Sequence, residues 1–218
     1  MFSDIIQLVI KEFRLEWRQK SVLTGILIYV ISTVFICYLT FRQIIDVPTW
    51  NALFWIIMMF AAVNAVARSF MQESRGVQLY YYTLLNPATV IISKIIYNSF
   101  LLCTVSMVNF LFYSLFLGNI VADGWMFLTG LLLGSLGLAA TLTLISAVAS
   151  RANGSPSLMA ILSFPILIPL LMTIIRFSKN AIDGIGWAVN LNYAIILAAL
   201  FGMVTGLSYL LFPYLWRD

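Results

Sequence analysis

The sequence predicts an all-α polytopic membrane protein, in which an N-terminal amphipathic helix is followed by six membrane-spanning helices. The 218 residues are 62% hydrophobic and 9% charged, whereas soluble domains carry about 25% charged residues. The hydrophobic residues fall into six stretches, each near the ~20 residues that an α-helix needs to cross a hydrocarbon core of about 30 Å. We expect residues 1–218 to form a single transmembrane domain.

Residues 1–21 contain the predicted amphipathic helix. Its apolar residues recur at the i, i+3, i+4, i+7 spacing of one helix face, and basic residues occupy the rest of the wheel. The apolar stripe comprises Ile6, Val9, Ile10, Phe13 and Trp17. Such a helix lies in the plane of the membrane interface with its stripe in the acyl boundary, or docks on the protein's own spans. The two interpretations are compatible.

The six apolar stretches are separated by short links, apart from one long polar link at 68–94. The predicted spans are 22–41, 52–67, 95–117, 125–149, 157–175 and 193–212. The second span is short unless its helix continues to Arg68, whose aliphatic stem can reach toward the interface. Lys94, at the end of the long link, is expected at the level of the lipid headgroups.

The distribution of Lys and Arg predicts the orientation, because cytoplasmic links are enriched in both. Nine of the twelve basic residues lie on the side of the termini and of residues 68–94. Both termini and this long link are therefore predicted to be cytoplasmic. Aromatic residues would form the outer interfacial belt, and these are Trp50, Trp125, Trp187 and Tyr193.

Glycines at G-x-x-x-G spacing indicate close helix packing in two spans. Gly130 and Gly134 form the pair in span four, and Gly202 and Gly206 form the pair in span six. Small residues let helix backbones approach closely where lipid provides no hydrophobic driving force. The packing could be within one subunit, which is the simpler interpretation, or between subunits.

Span five contains Pro165 and Pro169, four residues apart. Each proline removes a backbone hydrogen bond, so this span is expected to be kinked or locally unwound. The distortion could act as a hinge or line a cavity, or it could be purely architectural.

Several function classes are excluded by what the spans lack. No apolar span carries a charged residue near its middle, and histidine is absent from the chain. Coupled transport and intramembrane hydrolysis both need such embedded groups. The chain also lacks the G-x-x-x-x-G-K-[ST] phosphate loop, and its basic residues suit a membrane surface rather than nucleic acid. We therefore predict a non-enzymatic protein that binds no metal, and any energy must enter through a partner chain.

The segment 68–94 is the predicted point of contact with that partner. Gly76 permits a turn, and Val77 to Leu85 could form a short helix on the cytoplasmic face. Asn86 and Pro87 then suit the N-cap and first residue of the helix that enters span three. The predicted coupling residues are Glu73, Arg75, Gly76, Leu79, Tyr82, Leu84 and Pro87. The alternative is an ordinary charged loop with an aromatic anchor.

Five segments of the chain carry a family resemblance, and these are KEFRLEWRQK (11–20), WIIMMFAAVNAVARSFMQESRG (55–76), LLNP (84–87) with Lys94, GSLGLAATL (134–142) and FPILIP (164–169). They resemble the haem exporter protein B family, the permease subunit of the cytochrome c maturation ATP-binding-cassette (ABC) transporter. The resemblance covers nearly the whole chain and is most specific in 68–94 and in the twin prolines.

This resemblance implies an ABC-2-like permease domain in the bacterial cytoplasmic (inner) membrane. It implies a cytoplasmic ABC ATPase subunit as partner, together with a haem-handling membrane protein, a small accessory subunit and a periplasmic haem chaperone. A second permease copy is also expected. ATP would bind the partner, haem would be handled by a partner, and this chain would bind no cofactor. Glu73, Gly76, Leu84 and Pro87 match the family's cytoplasmic element, and no catalytic residue is implied.

The resemblance implies that the chain couples ATP hydrolysis to haem export or to release of the haem-loaded chaperone. Two alternatives stay open at this point. One is an ABC-2-type permease that exports a different substrate, such as a glycan, a lipid or a drug. The other is a membrane scaffold for assembly that has no powered cycle.

Overall fold

The computed structural model describes residues 2–19, 21–41, 45–71, 85–151 and 156–217. These ranges are helical apart from short links, and no strand occurs in them. The helices are α1 (Phe2–Gln19), α2 (Ser21–Phe41), α3 (Val47–Val66), α4 (Arg68–Met71), α5 (Pro87–Leu117), α6 (Gly124–Arg151), α7 (Pro156–Ile182) and α8 (Trp187–Arg217).

Six of these helices are long and apolar enough to cross a membrane, namely α2, α3, α5, α6, α7 and α8. The predicted fold class, an all-α polytopic membrane protein, is therefore confirmed. Several helices extend beyond the predicted spans because backbone hydrogen bonding continues through polar residues where hydropathy stops. α3 begins at Val47 rather than 52, α5 begins before residue 95, and α7 continues past 175 to Ile182.

The start of α5 follows the predicted capping pattern. The side chain of Asn86 accepts a hydrogen bond from the backbone N–H of Ala88 at 3.0 Å, and Pro87 is the first helical residue. Asparagine at the N-cap satisfies a backbone donor that the helix leaves free, and proline at the first position sacrifices no helical hydrogen bond. The local sequence therefore determines where this helix begins.

Helix α6 lies at the centre of the bundle. It contacts α3, α4, α5, α7 and α8, and 78% of its apolar stretch is buried, compared with 22% in α2 and in α8. The apolar faces that α2 and α8 leave exposed are suited to lipid. A central helix that touches five others can pass a displacement of one of them to the rest.

Buried apolar residues form two clusters. The larger cluster runs through the bundle and includes Phe54, Trp55 and Phe177. The smaller cluster lies at the end that carries both termini, where Leu8 of α1 and Phe70 of α4 pack with Phe212 of α8. The start of the chain, the end of the chain and the beginning of the 68–94 segment therefore share one core.

Candidate functional site

The predicted coupling segment is described at its two ends. Residues 68–71 form α4, and residues 87–94 form the first two turns of α5. Of the predicted coupling residues, Pro87 is half-buried at the start of α5. The others lie outside the described residues, and these are Glu73, Arg75, Gly76, Leu79, Tyr82 and Leu84.

Lys94 is buried among neighbouring helices, and its predicted depth, level with the lipid headgroups, stays a prediction. Its side chain is 3% exposed, and its Nζ donates a hydrogen bond to the backbone carbonyl oxygen of Ser69 at 2.5 Å. Glu12 Oε1 of α1 lies 3.5 Å from the same Nζ, and the Phe70 ring centroid lies 4.8 Å from it. A carboxylate, a backbone carbonyl oxygen and an aromatic face all stabilise an ammonium ion that has lost its water.

Asn98, one turn after Lys94, contacts the same serine. Its Nδ2 donates to Ser69 Oγ at 3.1 Å and to Thr143 Oγ1 of α6 at 2.8 Å. Asn98 is 1% exposed, and Thr143 is fully buried. The oxygens of Ser69 are therefore held by two side chains of α5, and the central helix α6 joins the same network.

Helix α1 docks on α5 beside this network. Tyr97 donates a hydrogen bond to Glu16 Oε2 at 3.2 Å. The Phe13 ring packs edge-to-face against Tyr97 and Phe100, with centroid distances of 5.3 and 5.0 Å. The apolar residues Ile6 and Ile10 of α1 stay 47% and 45% exposed. Docking on the protein's own spans therefore leaves part of the apolar stripe free to face lipid.

The two predicted glycine pairs have different surroundings. A Cβ atom placed on Gly130 would lie 2.7 Å from Phe177, and one placed on Gly134 would clash with Ile174 of α7. Here α7 packs directly against the backbone of α6 within one subunit. Gly202 and Gly206 of α8 are exposed, and among the described residues no atom of another helix lies within 4 Å of such a Cβ.

Pro165 and Pro169 lie on an exposed face of α7, whereas Leu167 and Leu170 are buried on another face. The helix is continuous from Pro156 to Ile182, so of the two predicted distortions it is not unwound, and a kink stays a prediction. The Thr173 hydroxyl donates to the Pro169 carbonyl oxygen at 2.8 Å. An exposed pair of prolines faces away from the bundle and lines no interior cavity of the described chain.

At the opposite end of the bundle, polar groups join α3 to α5 and α7. Trp55 Nε1 donates to Ser178 Oγ at 2.8 Å, and Ser178 Oγ lies 2.8 Å from its acceptor Asn51 Oδ1. Tyr113 donates to the Trp50 carbonyl oxygen at 2.9 Å. Trp50 is 1% exposed, so its predicted place in an outer interfacial belt is wrong. Trp125 is 80% exposed and accessible to such a belt.

Comparison with known families shows which family the chain belongs to. A sequence model of the family described as CcmB protein matches residues 3–214. The chain belongs to the CcmB family. A search of curated proteins found no match to the chain.

Membership of the CcmB family confirms the resemblance to haem exporter protein B. This CcmB-family chain is a membrane component of the haem exporter for cytochrome c maturation. The family is a permease subunit rather than a known catalytic enzyme, and it belongs to an ABC-type transporter system, which implies an ATPase partner. Six apolar helices and the family together indicate a multi-pass membrane protein.

Two features of this CcmB-family chain were missed by sequence analysis. Glu12 and Glu16 are four residues apart on α1, and Lys94 and Asn98 are four apart on α5, so each pair shares one helix face. That spacing was available as a signal, but it does not show that the two faces meet. Within the described ranges, no three Cys, Asp or Glu side chains come together as a metal site.

Proposed function

We propose that this chain is the permease subunit that couples ATP hydrolysis in a cytoplasmic ABC ATPase to haem export or to release of a haem-loaded periplasmic chaperone. The ATPase contacts residues 72–84 between α4 and α5. In this proposal both termini and that segment face the cytoplasm, and the whole chain acts as one permease domain with a second copy in the complex.

The observation that carries the proposal is the anchoring of this segment at both ends. Within residues 68–94, Ser69 lies before residues 72–84 and Lys94 lies after them, and the two residues are joined by a hydrogen bond. Asn98 extends the link to Thr143 in α6. In this proposal a displacement of residues 72–84 therefore reaches the packed helices through these bonds.

Helix α4 supplies the direct route into the bundle, since it contacts the central helix α6. Phe70 of α4 is 5% exposed and packs against Phe212 of α8, with a centroid distance of 5.5 Å. Packed interiors have discrete arrangements and deform little, so a displacement of α4 shifts its neighbours. The resulting movement of α6 relative to α7 and α8 would change the outward end of the bundle.

We further propose that the chain binds no cofactor of its own. Histidine, the commonest haem ligand in proteins, is absent, and the Cys37 and Cys103 thiols are free. ATP binds the partner ATPase, and haem is held by a neighbouring haem-handling membrane protein and passed to the periplasmic chaperone. A small accessory subunit and membrane lipid complete the expected surroundings.

Co-purification with the ATPase subunit tests the contact. The double variant Glu73→Lys, Leu79→Asp should insert in the membrane and lose the ATPase, because a reversed charge and a buried carboxylate oppose docking. The matched control is Asp183→Lys, Ile185→Asp, which makes the same kinds of change in the link between α7 and α8. Retention of the ATPase by the first variant, or its loss from the control, would contradict the proposal.

Holo-cytochrome c in a deletion strain tests the process. We expect no holo-cytochrome c without this chain and recovery when the gene is restored. Normal levels in the deletion strain would instead favour a permease for a glycan, lipid or drug. A cysteine introduced at Leu79 tests the scaffold alternative. If the complex assembles but nucleotide does not change the protection of this cysteine from modification, a scaffold is favoured.

A further inference from the structure

Helix α1 carries three side chains that meet the anchored ends of the coupling segment. Glu12 faces Lys94 at 3.5 Å, Glu16 accepts a hydrogen bond from Tyr97, and Phe13 packs against Tyr97. All three contacts fall within one and a half turns of α1 and one turn of α5. The contact is therefore a built interface between two helices and not a single ion pair.

The Lys94 ammonium is the point where three elements meet. It belongs to α5, it donates to the Ser69 carbonyl oxygen of α4, and it pairs with Glu12 of α1. A buried ammonium ion that loses its partners is strongly destabilised, since water cannot replace them. Separation of α4 from α1 is opposed for that reason, because it would cost the ammonium ion one of its partners.

Helix α1 also has a free side on which it can move. Gln7 and Arg14 are exposed on its polar face, and Ile6 and Ile10 are about half exposed. α1 contacts α2 and α5, and Leu8 reaches the core cluster that contains Phe70. A helix held on one side and free on the other can tilt in the interface as its attachment shifts.

We propose that Lys94 is a positioning residue that fastens α1 to the coupling segment, so that α1 is a second moving element of the ATP-driven cycle. The inference rests on the proposed function, because it assumes that the partner ATPase displaces residues 72–84. The displacement passes through Ser69 and Lys94 to Glu12, and α1 carries it to α2 at the periphery of the bundle.

The test uses the complete transporter, with its ATPase, in lipid nanodiscs. Cys37 and Cys103 are replaced by alanine, and one cysteine is introduced at Gln7 or at Leu79. The rate of modification by a membrane-impermeant maleimide is measured with and without a non-hydrolysable ATP analogue. We expect the analogue to change the rate at both positions.

Lys94→Met keeps the apolar stem of the side chain and removes its charge. We expect this variant to lose the nucleotide-dependent change at position 7 and to keep the change at position 79. Lys94→Arg, which keeps the charge, should restore the change at position 7. The matched control is Lys179→Met, which removes an exposed lysine that pairs with Asp183 at 2.6 Å and should leave both changes intact.

The outcomes separate the two proposals. A response at position 79 with none at position 7 in the parent protein, or a response at position 7 that persists in Lys94→Met, overturns the inference alone. No response at position 79 in the parent protein overturns the proposed function. If Lys94→Met fails to assemble, Glu12→Gln on the surface helix breaks the same pair, and its response at position 7 decides.

Discussion

The Lys94 ammonium donates a hydrogen bond to the Ser69 carbonyl oxygen, although the two residues are separated in sequence by the whole of residues 72–84. Ser69 lies in the short helix α4, and a hydrogen bond from a charged donor to a carbonyl oxygen is stronger than one between neutral groups. The bond holds the residues on either side of 72–84 together at the bundle. An ATPase that contacts residues 72–84 would therefore act on a segment whose flanking residues, Ser69 and Lys94, are bonded to each other.

The glycine pair of α6 allows a stability prediction. Gly134→Ala should destabilise the protein by about 1–3 kcal/mol, because the added methyl group would displace the fully buried side chain of Ile174. Gly202→Ala on α8 is the matched control. It should be neutral or slightly stabilising, since open space surrounds that position and alanine favours a helix over glycine.

Unfolding of the purified chain in detergent, followed by circular dichroism against denaturant concentration, measures both glycine variants. Equal stabilities for Gly134→Ala and Gly202→Ala would contradict the packing of α7 against the backbone of α6.

Ser178 allows a second prediction. Ser178→Ala should cost ~1–2 kcal/mol, because it leaves the buried Trp55 Nε1 without its acceptor and Asn51 Oδ1 without its donor. Thr173→Val is the control, since Thr173 donates to a carbonyl oxygen of its own helix and not to another helix within the described residues. The free energies of unfolding of the two variants check this prediction. A larger decrease in Thr173→Val than in Ser178→Ala would contradict the stabilising role of the Ser178 hydrogen bonds.

The prolines of α7 are proposed to act as a hinge. Replacing Pro165 and Pro169 by alanine restores two backbone N–H donors and stiffens the helix. We expect the double variant to assemble with the ATPase and to give less holo-cytochrome c. Pro48→Ala is the control because Pro48 lies in the first turn of α3, where proline removes no helical hydrogen bond. Full holo-cytochrome c yield from the double variant would mean that the prolines are architectural.

Features set by adjacent residues were predictable from the sequence. The start of α5 at Asn86 and Pro87 is one example, because capping depends on a few neighbouring residues. The number of spans is another, because it depends on the length and hydropathy of each stretch.

Features set by contacts between helices were not predictable. Lys94 and Trp50 both suit a membrane interface by residue type, yet both are buried because α5 and α3 place them against partners from distant parts of the chain. The glycine pairs of α6 and α8 have the same spacing, but their different environments are determined by which helix lies beside them.

The most direct test of the account is a photo-crosslink from the coupling segment. A photoreactive phenylalanine analogue replaces Tyr82 in the assembled complex, and Ile185 in a matched control. After illumination, mass spectrometry identifies the adduct. We expect a nucleotide-dependent adduct with the ATPase from position 82 and none from position 185. An ATPase adduct at position 185, or none at position 82 in an intact complex, would contradict the account.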